Sequence, residues 1–177
     1  MKRTPFADWP CSIARSVDLL GDWWTPLVLR EAFYGTRRFD DIQRNLRIGR
    51  NILTQRLKRL VEEGMLERVP YQERPQRYEY VLTEKGRDFF PVLAAMMHWG
   101  DKWLSPDGPP INLRHHDHDT HAEVVCAECR EPLDLRDVSA TLGPGFPERL
   151  RSRPDVAERF PDDSSMDQDS EIKPPPE

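Results

Sequence analysis

The sequence contains no long apolar run. No stretch approaches the roughly 18 consecutive apolar residues that a membrane-crossing helix needs, so we expect no membrane partner. The basic first residues, Met1 to Pro5, are not followed by the apolar segment of a secretion signal. Cysteine is scarce as well: the three residues, two of them in a C-x-x-C pair, do not resemble a disulfide framework. These absences predict a cytoplasmic protein.

A recognisable set of side chains for catalysis is also missing. Four of the five histidines lie between residues 115 and 121, and the fifth, His98, lies in an apolar helical segment. No nucleophile with a base beside it can be picked out. The sequence therefore predicts a protein that is not an enzyme and that requires no cofactor.

Acidic residues are absent from the segment between Arg44 and Arg59, which contains six basic residues. The formal net charge of the chain is −5, but residues 1–103 have a net charge of +4 and residues 104–177 one of −9. Because the Debye length is about 8 Å at physiological salt, a phosphate group responds to the local basic segment rather than to the distant acidic one. The overall charge therefore does not exclude a nucleic-acid partner.

Residues 49–63 carry the most informative pattern in the chain. Leu53, Leu57 and Leu60 are spaced i, i+4, i+7 and predict a helix with one buried face, which ends at a left-handed Gly64. Such a helix is roughly 22 Å long and fits a DNA major groove. Its other face consists of residue types that contact base edges or phosphates, namely Arg50, Asn51, Thr54, Gln55 and Lys58.

The flanking segments complete a winged helix-turn-helix pattern. A shorter helix that begins at Phe39 precedes the turn, and two short strands, at residues 65–71 and 77–82, follow the long helix. The tip between the strands is polar and turn-forming. Pro70 restricts the first strand to a sheet edge or to a strand end.

Two more helices are predicted at the ends of this region. Residues 11–20 have a short amphipathic pattern, and Thr83 is a plausible N-cap for a helix over residues 84–103. Pro91 is expected to kink that helix or to mark its early turns. Its apolar face is broader than a small winged domain needs, so the surplus predicts a subunit interface.

Seven short motifs in this order resemble the HxlR-type winged helix-turn-helix transcriptional regulators. They begin at Cys11, Leu20, Leu27, Arg38, Leu53, Gly64 and Tyr78, and Trp99-Gly100 follows them. The resemblance implies a mainly α fold with a small β-hairpin wing (α+β), in a domain over residues 8–104. It also implies homodimers formed through helices at about 11–20 and 84–103 that bind a double-stranded DNA operator. The sequence departs from the family pattern at Gly49, where a serine is common, and at Trp23, where a basic residue is common.

A division of roles follows for DNA contact on a pseudo-palindromic operator. The N-terminal residues of a recognition helix reach deepest, so Arg50, Asn51 and Gln55 are the candidates for base edges and Thr54 lies among them. Lys58 and Arg59 are expected to contact phosphates. The other candidates are Arg74 and Arg77, in a wing over residues 72–77 on the backbone or minor groove, and Arg38 before the first helix of the motif.

The alternatives to these roles stay open at this point. The exposed helix face and the wing can be merely solvated, with Glu73 neutralising one wing charge. Arg38 can instead hold Asp41 or the fold, and Arg56 can pair with Glu63 or pack against a neighbouring helix.

The C-terminal part changes in composition. Residues 105–110 read as a linker, residues 111–147 as a small zinc-ribbon-like segment, and residues 148–177 as an acidic, Pro-rich disordered tail. Cys126 and Cys129 have the spacing of a zinc knuckle, and two of the nearby histidines, with His118 and His121 preferred over His115 and His116, would complete a tetrahedral site. The short spacing from His121 to Cys126 equally fits a degenerate ribbon without metal.

Cys11 provides a second alternative function, as a redox sensor. The competing interpretation is a small apolar residue buried at the dimer interface, because cysteine is among the residue types most often buried. The basic residue that follows Cys11 most closely is Arg15, so the sequence gives no neighbour that would clearly lower the thiol pKa. A metal- or redox-responsive sensor is therefore the rival of the DNA-binding regulator. The sequence names no small-molecule effector.

Overall fold

A computed structural model describes residues 5–160 of the chain. Within that range the protein is helix-rich and has two separate two-stranded antiparallel sheets. The elements in chain order are α1 (Ser12–Leu20), α2 (Trp24–Phe33), α3 (Phe39–Leu46), α4 (Arg50–Glu62), β1 (Leu66–Glu73), β2 (Gln76–Leu82), α5 (Glu84–Arg87), α6 (Phe90–Leu104), β3 (Leu113–His115), β4 (His118–Thr120), α7 (Glu148–Arg151) and α8 (Pro154–Arg159). No helix in the described part is long and apolar enough to cross a membrane.

The described chain forms two compact units. One comprises residues 5–7 and 13–123, and the other comprises residues 8–12 and 124–160. The hairpin β3–β4 therefore belongs to the unit that contains α2–α6, whereas the sequence places it in a separate segment that begins at residue 111. The change in composition at the linker shows where the chain becomes polar. It does not show where the contacts within the first unit end.

The core of the first unit lies between α2, α3, α4 and the base of the β1–β2 sheet. The predicted stripe Leu53, Leu57 and Leu60 is buried, as is Leu29 of α2. Burying a leucine contributes about 2 kcal/mol relative to leaving it exposed, so this stripe fixes the face that α4 turns inward. The other members of the core are Val28, Ile42, Ile48, Met65 and Leu66.

The turn between α3 and α4 aims α4. α3 ends at Leu46, and the next residue, Arg47, has a left-handed backbone with φ of 52°. Gly49 then adopts an extended conformation at the N-terminus of α4. At the other end Gly64 has φ of 68°, and the Met65 N–H donates to the Leu60 carbonyl at 2.8 Å. This Schellman-type end confirms the left-handed role predicted for Gly64.

The wing has longer strands than the sequence predicts. β1 extends to Glu73 and β2 begins at Gln76, so the tip shrinks to Arg74 and Pro75. Pro70 lies inside β1, opposite Tyr78, and not at a strand end. It is tolerated there because both strands of a two-stranded sheet are edges, and the register shifts directly after it.

The helix predicted over residues 84–103 is two helices. Thr83 caps α5 as predicted, since its Oγ1 accepts from the Gly86 N–H at 3.1 Å. The helical path is then interrupted at Asp88 and Phe89, and Pro91 falls in the first turn of α6. Proline is accepted there because the first-turn N–H groups have no intrahelical acceptor.

The tail also differs from expectation. Residues 148–160, predicted to be disordered, include the short helices α7 and α8. Pro154 starts α8, and Arg151 pairs with Glu148 at 3.1 Å. These local signals favour helical turns within an otherwise polar segment. The remainder of the predicted disordered tail, residues 161–177, lies outside the described residues.

Candidate nucleic-acid interface

The outward face of α4 carries the predicted base-reading residues. Arg50, Asn51, Thr54, Gln55 and Lys58 are all exposed. Within the described part of the chain, the side chains of Asn51 and Gln55 have no hydrogen-bond partner. Their amides therefore keep the donor and acceptor that a base edge requires.

Arg50 is held in place although it is exposed. Its guanidinium lies 4.9 Å from the centre of the Phe39 ring, and its Nη1 is 3.8 Å from Asp40 Oδ1. Thr54 Oγ1 donates to the Arg50 carbonyl at 2.9 Å, so its own hydroxyl proton is engaged within the helix. Stacking on Phe39 leaves most of the guanidinium fork free to donate.

Two arginines of α4 face the protein. Arg59, predicted to contact phosphate, turns its guanidinium towards α1, where Nη2 donates to the Asp18 carbonyl at 2.8 Å. Arg56 forms an ion pair with Asp22, and neither arginine side chain is more than about a third exposed. For Arg56 this resolves the alternatives: its partner is Asp22 rather than Glu63. The geometry of Arg59 favours a tethering role over a phosphate contact.

Arg38 connects the helix-turn-helix to the wing. Its Nε donates to Glu79 Oε1 at 3.2 Å, and its guanidinium lies 4.5 Å from the centre of the Tyr71 ring. The backbones of Arg38 and Glu79 also pair, in an isolated antiparallel β-bridge. Beside it the Tyr80 N–H donates to the Arg37 carbonyl at 2.8 Å. The predicted alternative partner, Asp41, instead pairs with Arg44 at 2.5 Å.

A cleft of about 490 Å³ separates the start of α4 from the wing. Its lining includes Arg38, Arg50 and Arg77, together with the carboxylates of Asp40 and Asp41. The predicted wing residue Arg74 is exposed at the tip, and among the described residues Glu73 forms no ion pair with Arg74 or Arg77. The wing charges are therefore not neutralised within the hairpin. Sequence reasoning missed Arg68, which lies 3.8 Å from the centre of the Tyr78 ring on the same hairpin.

A buried carboxylate fixes α3 against α2. Glu31 is only 4% exposed, and its carboxylate accepts from Asn45 at 2.8 Å, Arg30 at 2.9 Å and Thr36 at 3.3 Å. Burial raises the pKa of Glu31, but these hydrogen bonds and the Arg30 charge outweigh that effect and hold it below its ordinary value. Glu31 is thus an ionised anchor beneath the helix-turn-helix.

The helix-turn-helix with its paired wing corresponds to a known family. A model of the HxlR-like helix-turn-helix family matches residues 19–108. The chain belongs to the HxlR-like family.

Similar proteins agree with this assignment. An uncharacterized HTH-type transcriptional regulator of Mycobacterium tuberculosis strain H37Rv is 49% identical over 144 residues, which are 80% of this chain and 91% of the relative. The crystal structure of PA1607, described as a transcription-factor candidate, has a TM-score of 0.68 and 34% identity over 76% of this chain and 96% of that one. PA1374 of Pseudomonas aeruginosa, similarly described, has a TM-score of 0.58 and 40% identity over 80% and 98%.

These similarities confirm the general function predicted from the sequence. The chain is an HTH transcriptional regulator of the HxlR-like family, which binds DNA, and it is not an enzyme. The family match also confirms the resemblance inferred from the seven motifs and the winged helix-turn-helix fold.

The two helices predicted to form the HxlR-like dimer expose apolar side chains in the single chain. Ile13 of α1 is 76% exposed, and Trp99 of α6 is 58% exposed. Val17, Val92, Met96 and Trp103 are also exposed on these helices. Large apolar side chains grouped on helix faces are typical of surfaces that a partner covers.

The Cys/His residues of the tail form separate local clusters. His115 and His118 face each other across β3–β4, and His121 stacks on His98 with ring centres 4.6 Å apart. Cys126 and Cys129 lie in a tight turn. Within residues 5–160, no group of three or more His, Cys, Asp or Glu side chains is placed to hold a metal ion.

The turn at Cys126 resembles half of a zinc knuckle. Hydrogen bonds from the backbone N–H groups of Cys129 and Glu128 hold the pKa of the Cys126 thiol below its ordinary value. The turn is closed by the Arg130 N–H, which donates to the Cys126 carbonyl at 3.0 Å. Cys11, whose buried reading was the alternative to sensing, is exposed in the single chain.

Proposed function

We propose that this HxlR-like regulator binds a pseudo-palindromic operator as a homodimer, with α4 in the major groove and the wing on the backbone or minor groove. The observation that carries the proposal is the outward face of α4, beside an Arg50 that stacks on Phe39. On this face Asn51 and Gln55 are exposed, and their side chains have no hydrogen-bond partner among residues 5–160. Two-fold symmetry would bring two copies of α4 into successive major grooves about 34 Å apart.

The contacts divide by chemistry. Arg50, Asn51 and Gln55 read base edges, because amide and guanidinium groups match the donors and acceptors of adenine and guanine in the major groove. Lys58 on the same face, with Arg74 and Arg77 of the wing, supplies phosphate contacts. Thr54 lies among the base-reading residues, and its hydroxyl oxygen, whose proton is donated to the Arg50 carbonyl, can accept from a base edge. Arg38 acts indirectly, since its pairing with Glu79 holds the wing against the helix-turn-helix. Arg59 stabilises the domain through Asp18.

The homodimer is proposed to form through α1 and α6. The support is the exposed apolar surface on both helices, which a monomer would leave in water. A dimer is also what a pseudo-palindromic operator requires, since each half-site takes one recognition helix.

The experiment is selection of genomic fragments by the purified full-length protein at about 150 mM salt, where non-specific binding is weak. Enrichment of a short inverted repeat supports the proposal. Retention of all fragments alike, with affinity that falls steeply with salt, would contradict sequence-specific recognition.

A second function, cysteine-dependent sensing, is favoured by one observation. Backbone N–H groups donate hydrogen bonds to Cys126, as they do to a thiolate in a zinc knuckle. Cys129, which also has a free thiol, lies on the same turn. The pair supplies two of the four ligands of a tetrahedral zinc site. Cys11 is the alternative sensing thiol.

Elemental analysis of the purified protein, followed by operator binding with and without a chelator, tests this second function. Zinc bound at one equivalent per chain, and lost in Cys126→Ser, supports the knuckle. Operator binding that is unchanged by chelator and by peroxide would limit the tail to a structural role.

A further inference from the structure

A carboxylate lies beside the first residue of the recognition helix. Arg50 begins α4, and its Nη1 is 3.8 Å from Oδ1 of Asp40, which lies in the first turn of α3. Both side chains are well exposed, Arg50 at 70% and Asp40 at 67%. An acidic side chain at this place is repelled by the phosphates of any DNA that α4 approaches. Asp40 therefore affects DNA binding in some way other than attraction.

Arg50 is restrained from two sides by consecutive residues. Its guanidinium lies 4.9 Å from the centre of the Phe39 ring, and the next residue is Asp40. The ring restrains the plane of the guanidinium, and the carboxylate attracts one of its charged edges. Neither contact uses Nε or Nη2, which have no acceptor within residues 5–160. The guanidinium therefore presents a free pair of donors in a restricted orientation.

The two other arginines of the cleft differ in their partners. Arg38 is paired with Glu79 at 3.2 Å, whereas Arg77 of the wing has no carboxylate within 4 Å among the described residues. A phosphate that enters the cleft can bind Arg77 without breaking an ion pair. To bind Arg50 it must compete with Asp40 for the same positive charge. The cleft thus contains one arginine that is open to any phosphate and one that is not.

We propose that Asp40 is a specificity-determining residue, which keeps Arg50 from the phosphates of random DNA and directs its free donors to a guanine of the operator. A guanine edge offers two acceptors, O6 and N7, in the major groove. A guanidinium has five N–H donors, so it can donate to both acceptors while another N–H stays beside the carboxylate. Asp40 therefore opposes the phosphate contact more than the guanine contact.

The expected effect is moderate in size. The ion pair between Arg50 and Asp40 is exposed, so water and salt screen it, and its loss should change DNA affinity by a few-fold. The preference for guanine rests on the proposed function, because it requires α4 in the major groove of an operator. The effect on random DNA does not depend on an operator, and the two are measured separately.

The first measurement is the affinity of full-length Asp40→Asn for a fluorescent duplex of random sequence, by anisotropy over a range of potassium chloride concentrations. We expect the affinity to rise by about threefold to fivefold over wild type. The salt slope should also rise by about one, since the released Arg50 neutralises one more phosphate. Circular dichroism checks that each variant is folded.

A double-mutant cycle separates an effect through Arg50 from simple removal of a negative charge. In an Arg50→Ala background, Asp40→Asn should change the affinity for random DNA very little, because the side chain that Asp40 restrains is gone. Asp41→Asn is the matched control, since it removes the same charge from the next residue, whose partner is Arg44. Its effect should be the same with and without Arg50.

Selection of genomic fragments measures the second part of the proposal. Wild type should require a guanine at one position of each half-site, and Arg50→Ala should lose that requirement. In Asp40→Asn the preference for this guanine should fall by about threefold, while the preferences at other positions stay unchanged. A variant that was merely less stable would lose affinity at all positions alike.

Several outcomes would overturn the proposal. These are an unchanged affinity and salt slope of Asp40→Asn on random DNA, and an effect of Asp40→Asn that is equally large without Arg50. A base preference that is lost in Asp40→Asn but kept in Arg50→Ala would show that Asp40 itself contacts a base, such as the N4 amino group of cytosine. If wild type enriches no operator, the proposed function is contradicted, whereas the measurements on random DNA still decide whether Asp40 restrains Arg50.

Discussion

Asn45 Nδ2 donates to Glu31 Oε2 over 2.8 Å and so ties the last turn of α3 to the buried side of α2. Arg30 and Thr36 complete the hydrogen bonding of the carboxylate. A buried ionised group is stabilising only when its partners are all present, because removing one partner leaves a desolvated charge. The orientation of the helix-turn-helix therefore depends on a polar cluster as well as on its apolar core.

Glu31→Gln is expected to lower the free energy of unfolding at pH 7 by about 2 kcal/mol, because the amide cannot accept all three hydrogen bonds as a carboxylate does. The pKa of Glu31 is lower in the folded protein than its ordinary value of 4.5. Its contribution is thus complete above pH 4.5 and is lost as the pH falls through the lower folded pKa.

Urea unfolding of both proteins between pH 7 and pH 3 measures this effect. The difference between Glu31→Gln and wild type should shrink as the pH falls below 4.5. Glu62→Gln, which changes an exposed carboxylate of α4, is the matched control and should be nearly neutral. A difference that grows in acid would show that Glu31 is not ionised in the fold.

Gly86→Ala is expected to destabilise the protein by about 2 kcal/mol, although alanine is the better helix former. Gly86 is buried in α5, and a Cβ there would collide with the Met65 carbonyl oxygen. Gly100→Ala in α6 is the control, since a Cβ at Gly100 meets nothing within 4 Å. Thermal unfolding should therefore show a lower Tm for Gly86→Ala and an equal or higher Tm for Gly100→Ala. Similar shifts for both would contradict the clash.

The sequence predicts the recognition helix well because its signal is local. Leu53, Leu57 and Leu60 repeat at helical spacing, and a left-handed Gly64 ends the helix, so its bounds and its buried face follow directly. The exposed position of Asn51 follows from the same periodicity. No contact with a distant element is needed for any of these inferences.

Other features depend on contacts between distant residues. By its residue type and its position on α4, Arg59 is expected to contact a phosphate. Its actual partner, Asp18, lies 41 residues earlier in the chain, so the sequence pattern of α4 does not reveal it. Glu31 looks like a solvated helix residue until Asn45 is brought beside it. The hint in the sequence is that Glu31 lies three residues after Val28 and therefore on the buried side of α2.

Asn51→Ala and Lys58→Ala are expected to weaken operator binding in different ways. Loss of the Asn51 amide should cost about 1–3 kcal/mol and relax specificity at one position of each half-site. Loss of the Lys58 charge should weaken all sequences alike and reduce the salt slope by about one. Arg149→Ala removes an equivalent charge from α7 and should change neither quantity. Equal losses on specific and random DNA for both variants would contradict the assignment.

Arg59→Ala is expected to affect stability more than DNA affinity. The variant loses the hydrogen bond to the Asp18 carbonyl and its ion pairs, so the free energy of unfolding should fall by about 1–2 kcal/mol. The salt slope of operator binding should stay at the wild-type value, in contrast to Lys58→Ala. If the salt slope of operator binding fell by about one while the free energy of unfolding stayed unchanged, Arg59 would be a phosphate contact after all.

Trp99→Glu is expected to convert the proposed dimer to a monomer. Trp99 is exposed on the apolar face of α6, and a carboxylate buried there without a partner would oppose association by several kcal/mol. Sedimentation equilibrium gives the mass, and circular dichroism checks that each chain is folded. Leu135→Glu, at an even more exposed leucine outside these helices, is the matched control and should leave the mass unchanged.

Because each half-site takes one recognition helix, the folded monomer should also lose most of its operator affinity while it keeps weak, salt-dependent binding to random DNA. A Trp99→Glu protein that remains dimeric would move the interface away from α6.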